Sequence, residues 1–148
     1  MSGPRGPVLA SGEVCPPAIP PDPPAGCEGH PPEARAMRHE LFVYLSGPIT
    51  PKDGALAEEH VAAGLRVHLD LLRRGIPNFC PQLCGAFPSA WSAVPYDVWL
   101  AYDLAVLDRC THVLMLPGWA ASRGACIEKA YAEARGLPVL FDLEALPR

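Results

Sequence analysis

His112-Val-Leu-Met-Leu-Pro-Gly-Trp-Ala-Ala-Ser-Arg-Gly-Ala-Cys-Ile-Glu128 passes from strand through loop into helix without a break. His112–Leu116 is a short apolar run of the kind that forms a buried strand. Pro117-Gly118-Trp119 ends it, Ser122 is a helix N-cap, and the helix continues to about Arg135, where Gly136 stops it. Val139–Phe141 follows as another strand. Strand, loop, helix and strand in this order, with short connections, predict a parallel βαβ unit.

The residues before this stretch repeat the same plan. Leu41–Ser46 is an apolar, β-rich run that stops at Gly47-Pro48. Ala55–Arg74 predicts a helix, with Leu56, His60/Val61, Leu65, His68 and Leu71/Leu72 on its apolar face and Gly75 as its stop. Ile76–Phe79 is the next strand, residues 81–94 a loop, and Tyr96–Cys110 a helix with Pro95 at its first turn. The expected fold is a small doubly wound α/β domain, flavodoxin-like or Rossmann-like. It has a parallel sheet of four to five strands with helices on both faces. In such folds ligands bind beyond the carboxyl ends of the strands, after Leu45, Phe79, Leu116 and Phe141.

Composition divides the 148-residue chain. Ten of its 19 prolines lie in the first 40 residues. Ring-locked residues without N–H donors build neither helix nor sheet, so residues 1–36 read as a disordered arm and 37–148 as the folded domain. Met37 is a second candidate translation start. The net charge of −4 is spread evenly, leaving no basic field for a nucleic-acid polymer. No segment approaches the roughly 20 apolar residues of a membrane span, and the N-terminus lacks a secretory h-region, so a cytoplasmic protein is expected. The six cysteines are read as reduced thiols, with Cys110 and Cys126 packing as small hydrophobes. Cys80 and Cys84 with His112 or His60 lack the spacing of a zinc site, so neither metal nor other cofactor is expected.

Three segments, Tyr44-Leu-Ser-Gly-Pro-Ile49, Tyr102-Asp103-Leu104 and Ser122-Arg-Gly-Ala-Cys-Ile-Glu128, give the sequence a resemblance to the nucleoside 2-deoxyribosyltransferase superfamily over residues 41–141. The serine six residues before the glutamate resembles the 2′-deoxynucleoside 5′-phosphate N-hydrolases. The resemblance implies an N-glycosidase or deoxyribosyltransferase acting on a small nucleoside or nucleoside 5′-monophosphate. It also implies a homodimer or larger homo-oligomer whose neighbouring subunits complete the pocket. Because the chain ends soon after Phe141, little cover of its own is expected at the C-terminal side.

Breaking an N-glycosidic bond passes through an oxocarbenium-like state that a carboxylate can trap from the opposite face of the sugar. Glu128 is the candidate nucleophile. Cys126, Ala130 and Ala134 are expected on the core side of its helix, leaving the Glu128 carboxylate along the pocket edge; by position alone it reads as a solvated glutamate near the positive helix end. Asp103, among Leu100, Ala101, Leu104 and Ala105, is expected to have a raised pKa and to serve as acid or orienter for the departing base. Tyr44 matches the superfamily tyrosine that hydrogen-bonds near the nucleophile. Ser122, Arg123, Gly124 and Ala125 form a helix start suited to a 5′-phosphate. Ser46, Gly47 and Thr50, with Lys52 nearby, line the first loop, where Pro48 and Pro51 thin the N–H donors. Trp119 is the best-placed base-stacking ring, whereas Trp99 is expected in the core. Two other readings are a non-catalytic nucleotide-binding module and an adaptor that presents the proline-rich arm.

Overall fold

The computed structural model describes residues 36–49, 54–86 and 93–147. The chain divides into two units, Met1–Ala34 and Arg35–Arg148, and the second is an α/β domain. The arm expected over residues 1–36 lies, apart from Ala36, outside the described residues, as do Thr50, Pro51, Lys52 and Trp91.

Four strands form one parallel sheet: β1 (Val43–Ser46), β2 (Asn78–Phe79), β3 (His112–Met115) and β4 (Val139–Leu140), in the order β2-β1-β3-β4. The connections are the helices α1 (Gly54–Arg73), α2 (Tyr96–Leu107) and α3 (Arg123–Ala134). This is the doubly wound α/β fold. The predicted loop 81–94 begins with an unpredicted 3-10 turn, Pro81–Ala86. No helix of the described residues is long and apolar enough to cross a membrane.

Strand alternation assigns each face its core. Val43 and Leu45 point to one side with Leu114, Leu116 and Leu71 of α1; Tyr44 points to the other with Val113, Met115, Leu107 of α2, and Ala125 and Ala132 of α3. Because β1 leads to α1 on one face and β3 leads to α3 on the opposite face, the β1 and β3 ends border the topological switch point. Both helix stops are as predicted. Gly75 and Gly136 have φ of 74° and 71°. Ile76 and Gly75 N–H donate to the Leu71 and Leu72 carbonyls, and Leu137 and Gly136 to those of Ala132 and Glu133. Each is a Schellman ending, in which the left-handed residue is glycine at no steric cost.

One predicted helix face holds and one is rotated. On α1, among the described side chains, Leu71 is buried and His60, Val61, His68 and Leu72 are half-buried as expected, with Gly64 buried beside them and Leu65 exposed; the Leu56 side chain lies outside the described residues. On α3 the buried residues are Ala125, Glu128 and Ala132, whereas Cys126, Ala130 and Ala134 are exposed. The periodicity reading fails there because a charged residue occupies the core-facing stripe. Cys126 is consequently a surface thiol. Cys80, Cys84, Cys110 and Cys126 are all free, and Cys15 and Cys27 lie outside the described residues.

A cleft of about 470 Å³, lined by Arg38, Arg74 and Glu144 among others, opens near the N-terminal ends of the strands, away from the switch point. Its arginines are engaged: Arg74 with Asp70 and Glu144 at 3.0 and 2.8 Å, Arg38 with Glu40 at 2.7 Å.

Candidate active site

Tyr44 and Ser46 are two residues apart on β1 and therefore share the face that α3 covers. Both hydroxyls reach Glu128. Tyr44 Oη donates to Oε1 at 3.0 Å, and Ser46 Oγ donates to Oε2 at 2.5 Å. All three side chains are buried, with Glu128 only 4% exposed. The glutamate expected along the pocket edge is thus inside, its two oxygens fixed by separate donors. Ser46, expected to contact substrate, donates its hydroxyl proton to the Glu128 carboxylate.

Asp103 approaches from α2 and is 5% exposed on a helix whose other faces are largely apolar. Burial, reinforced by the Glu128 charge, pushes its pKa up to about 7. Burial also raises the Glu128 pKa, against the lowering effect of the Ser46 and Tyr44 hydroxyls. The Tyr44 phenol is held well above its usual range by burial and by the charges of Glu128 and Asp103. It therefore remains a donor. Two buried carboxylates, of which only one carries hydrogen bonds from described residues, favour one ionised and one protonated group. The hydrogen-bonded Glu128 is the better anion and Asp103 the better acid.

The remaining predicted residues divide. Ser122 Oγ accepts from Ala125 N–H at 3.3 Å, making it the N-cap of α3. Arg123 is exposed, Ala125 is buried, and a Cβ on Gly124 would lie 3.2 Å from Tyr96 Oη. Trp119 packs 5.7 Å from Phe141, with Lys129 Nζ also 5.7 Å from its ring. Trp119 thus meets Phe141 just after β4 and also packs against the core cluster that holds Tyr44 and Ala125. Rings do line the other side: Tyr44–Phe79 at 5.8 Å, Phe79–Tyr102 at 6.0 Å and Trp99–Tyr102 at 6.2 Å lead from the carboxylate pair to the exposed Tyr102. Trp99, expected in the core, is half-buried against Tyr102. Among the described residues no group of three or more His, Cys, Asp or Glu converges as a metal site. Sequence reasoning missed Gln82, a fully buried amide in the turn after β2. Its one signal is its place just past a strand end.

Gly47 permits the close approach of β1 and β3. A Cβ there would stand 2.8 Å from Leu116 Cβ and 3.2 Å from Gln82 Nε2. Since neither Cβ can rotate away, Gly47→Ala is expected to cost about 1–3 kcal/mol by overpacking. Thermal unfolding measures this, and an unchanged midpoint would show that the strand ends are not in contact.

The fold and the carboxylate pair define a parallel α/β domain with a buried acid site at its topological switch point. Residues 79–141 match a domain of unknown function, DUF4406. The matched segment contains Asp103 and Glu128 but begins after β1, which supplies Tyr44 and Ser46. No curated protein matches the sequence.

Proposed function

We propose that this domain cleaves the N-glycosidic bond of a small nucleoside or nucleoside 5′-monophosphate, with Glu128 as nucleophile. The reading is carried by one observation: a buried carboxylate whose two oxygens are held by Tyr44 and Ser46 beside a second buried carboxylate with a pKa of about 7. In this mechanism Glu128 attacks the anomeric carbon as the bond to the base breaks, and Asp103 gives its proton to the departing base. Tyr44 and Ser46 each leave a lone pair on their oxygen of Glu128 for the sugar. Water completes a hydrolysis by displacing Glu128 from the anomeric carbon and giving its proton to the Asp103 carboxylate; a second base that gives up its ring proton in the same way completes a transfer.

Chromatography for released base over a panel of nucleosides and monophosphates, with and without an acceptor base, tests the reading. Release in neither condition would leave the nucleotide-binding module as the better account.

Ser122 bears on the 5′ end of the substrate. A serine there donates to a phosphate without repulsion, whereas aspartate would set like charges together. Aspartate is as good an N-cap, so Ser122→Asp should preserve the α3 start that Ser122 now caps. It is expected to lower kcat/KM for a 5′-monophosphate by on the order of tenfold or more while sparing the free nucleoside. A ratio that does not move would remove the phosphate from this position.

A further inference from the structure

Helix α2 is apolar on its outward side as well as its inward one. The inward side buries Asp103 and Leu107. The outward side carries Val98, Ala101, Tyr102 and Ala105 at spacings of three and four residues, and all four are exposed, Val98 at 50% and Tyr102 at 48%. Across residues 98–107 the one charged side chain is Asp103, and it is buried. The other helices meet solvent in the ordinary way. On α1 the exposed Leu65 and Leu69 stand among the exposed Glu58, Glu59, Arg66 and Arg73, and α3 exposes Arg123 and Glu133. A helix that lacks charge on both sides is one whose second side another surface covers.

The charges of this face stand at its two ends. Asp97, Ala101, Ala105 and Arg109 are four residues apart and form one ridge. Asp97 and Arg109 are exposed, and neither makes an ion pair with a described residue. Asp108, next to Arg109, is already engaged by Arg135 at 2.8 Å and by the Tyr131 hydroxyl at 2.9 Å, so its charge is balanced within the chain. A ridge with a negative end, an uncharged middle and a positive end is complementary to its own reverse. Two copies set antiparallel about a two-fold axis between Ala101 and Ala105 bring Asp97 of each to Arg109 of the other, and each Ala101 to the other copy's Ala105. A parallel pair would set like charges together at both ends. The alanines let the helix axes approach to about 8 Å, which carries Val98 and Tyr102 into the join.

We propose that the outer face of α2 is a self-association surface on which a second copy of this chain docks antiparallel, with reciprocal Asp97–Arg109 ion pairs closing its ends. The inference stands apart from the N-glycosidase reading, yet it touches the same helix. Asp103 faces inward from the element that the second copy holds from outside, and Tyr102, which meets Phe79 at 6.0 Å and through it Tyr44 at 5.8 Å, becomes covered. The 12 residues of α2 span about 18 Å, so the interface is small and its dissociation constant falls in the micromolar range or above.

Sedimentation equilibrium of the full chain, from micromolar to near-millimolar concentration, is the test. The wild type should pass from monomer to dimer, and added salt should loosen the dimer. Asp97→Arg and Arg109→Asp each place like charges at both ends of the join and are expected to weaken it on the order of tenfold or more. Mixing the two single variants makes every end complementary again in the mixed dimer, which should recover to within about threefold of the wild-type dissociation constant. Ala101→Lys, a good helix former that sets bulk and charge beside the two-fold axis, should abolish association. All three positions are exposed, and melting temperatures measured where the wild type is monomeric should agree within a few degrees, which shows that the variants are folded. A chain that stays monomeric throughout overturns the proposal. So does a dimer indifferent to these substitutions, which would lie on another surface, and so does a mixture that associates no better than either variant alone.

Discussion

Glu128→Gln is expected to lower base release by on the order of 10⁴-fold or more while binding is nearly retained. The amide keeps the shape of the side chain and removes the charge that attacks the sugar. Its carbonyl oxygen still accepts from one of the two hydroxyls, but the NH2 that replaces the other oxygen cannot accept at all, so either Tyr44 or Ser46 must turn its proton elsewhere. The loss should therefore fall on kcat with little change in KM. Single-turnover measurement of released base decides it, and a variant with wild-type turnover would sink the mechanism.

Asp103→Asn is expected to stabilise the protein at pH 8 by about 2–4 kcal/mol and to leave it nearly unchanged near pH 4. The carboxyl has a pKa of about 7 in the fold, against an ordinary value of 3.8. At low pH both the folded and unfolded chains hold the proton, and burial costs little. Between 3.8 and 7 the unfolded chain releases a proton that the fold retains, so wild-type stability falls as pH rises, and above 7 the deficit is complete. Asparagine never ionises and lacks this slope. The same variant loses the proton donor, so base release should collapse as stability improves, and wild-type turnover should decline as pH rises through about 7. Denaturant unfolding at the two pH values is the measurement. A stability difference that does not change with pH would show that Asp103 does not titrate in this way.

That opposition between stability and activity also explains what could be read from the sequence. The strands were legible because Leu41–Ser46 and His112–Leu116 are apolar runs closed by Gly-Pro and Pro-Gly, and the helix ends because Gly75 and Gly136 stand where a left-handed residue is needed. The α3 register was not. Hydrophobic periodicity assigns glutamate outward, and here Glu128 points inward between Ala125 and Ala132. Helix α2 shows the same inversion, since Asp103 is buried while Val98 and Tyr102 are exposed. Sites break the local pattern because their chemistry requires carboxylates where packing would choose leucine. Gln82 was illegible for another reason. Its burial depends on Gly47 and Gly64, which come from separate elements, and no local pattern joins them.

The sheet has one further consequence. Its outer strands, Asn78–Phe79 and Val139–Leu140, are two residues long, and each follows a proline, Pro77 or Pro138. The carbonyls of these prolines accept from Val43 and Val113 on the inner strands, so each proline turns its backbone inward and presents no ladder group to the outer edge. A foreign strand seeking to extend the sheet would find almost no ladder at either side. Brevity and proline at the margins therefore guard this small domain against edge-to-edge aggregation, although its inner strands are among the most apolar segments of the chain.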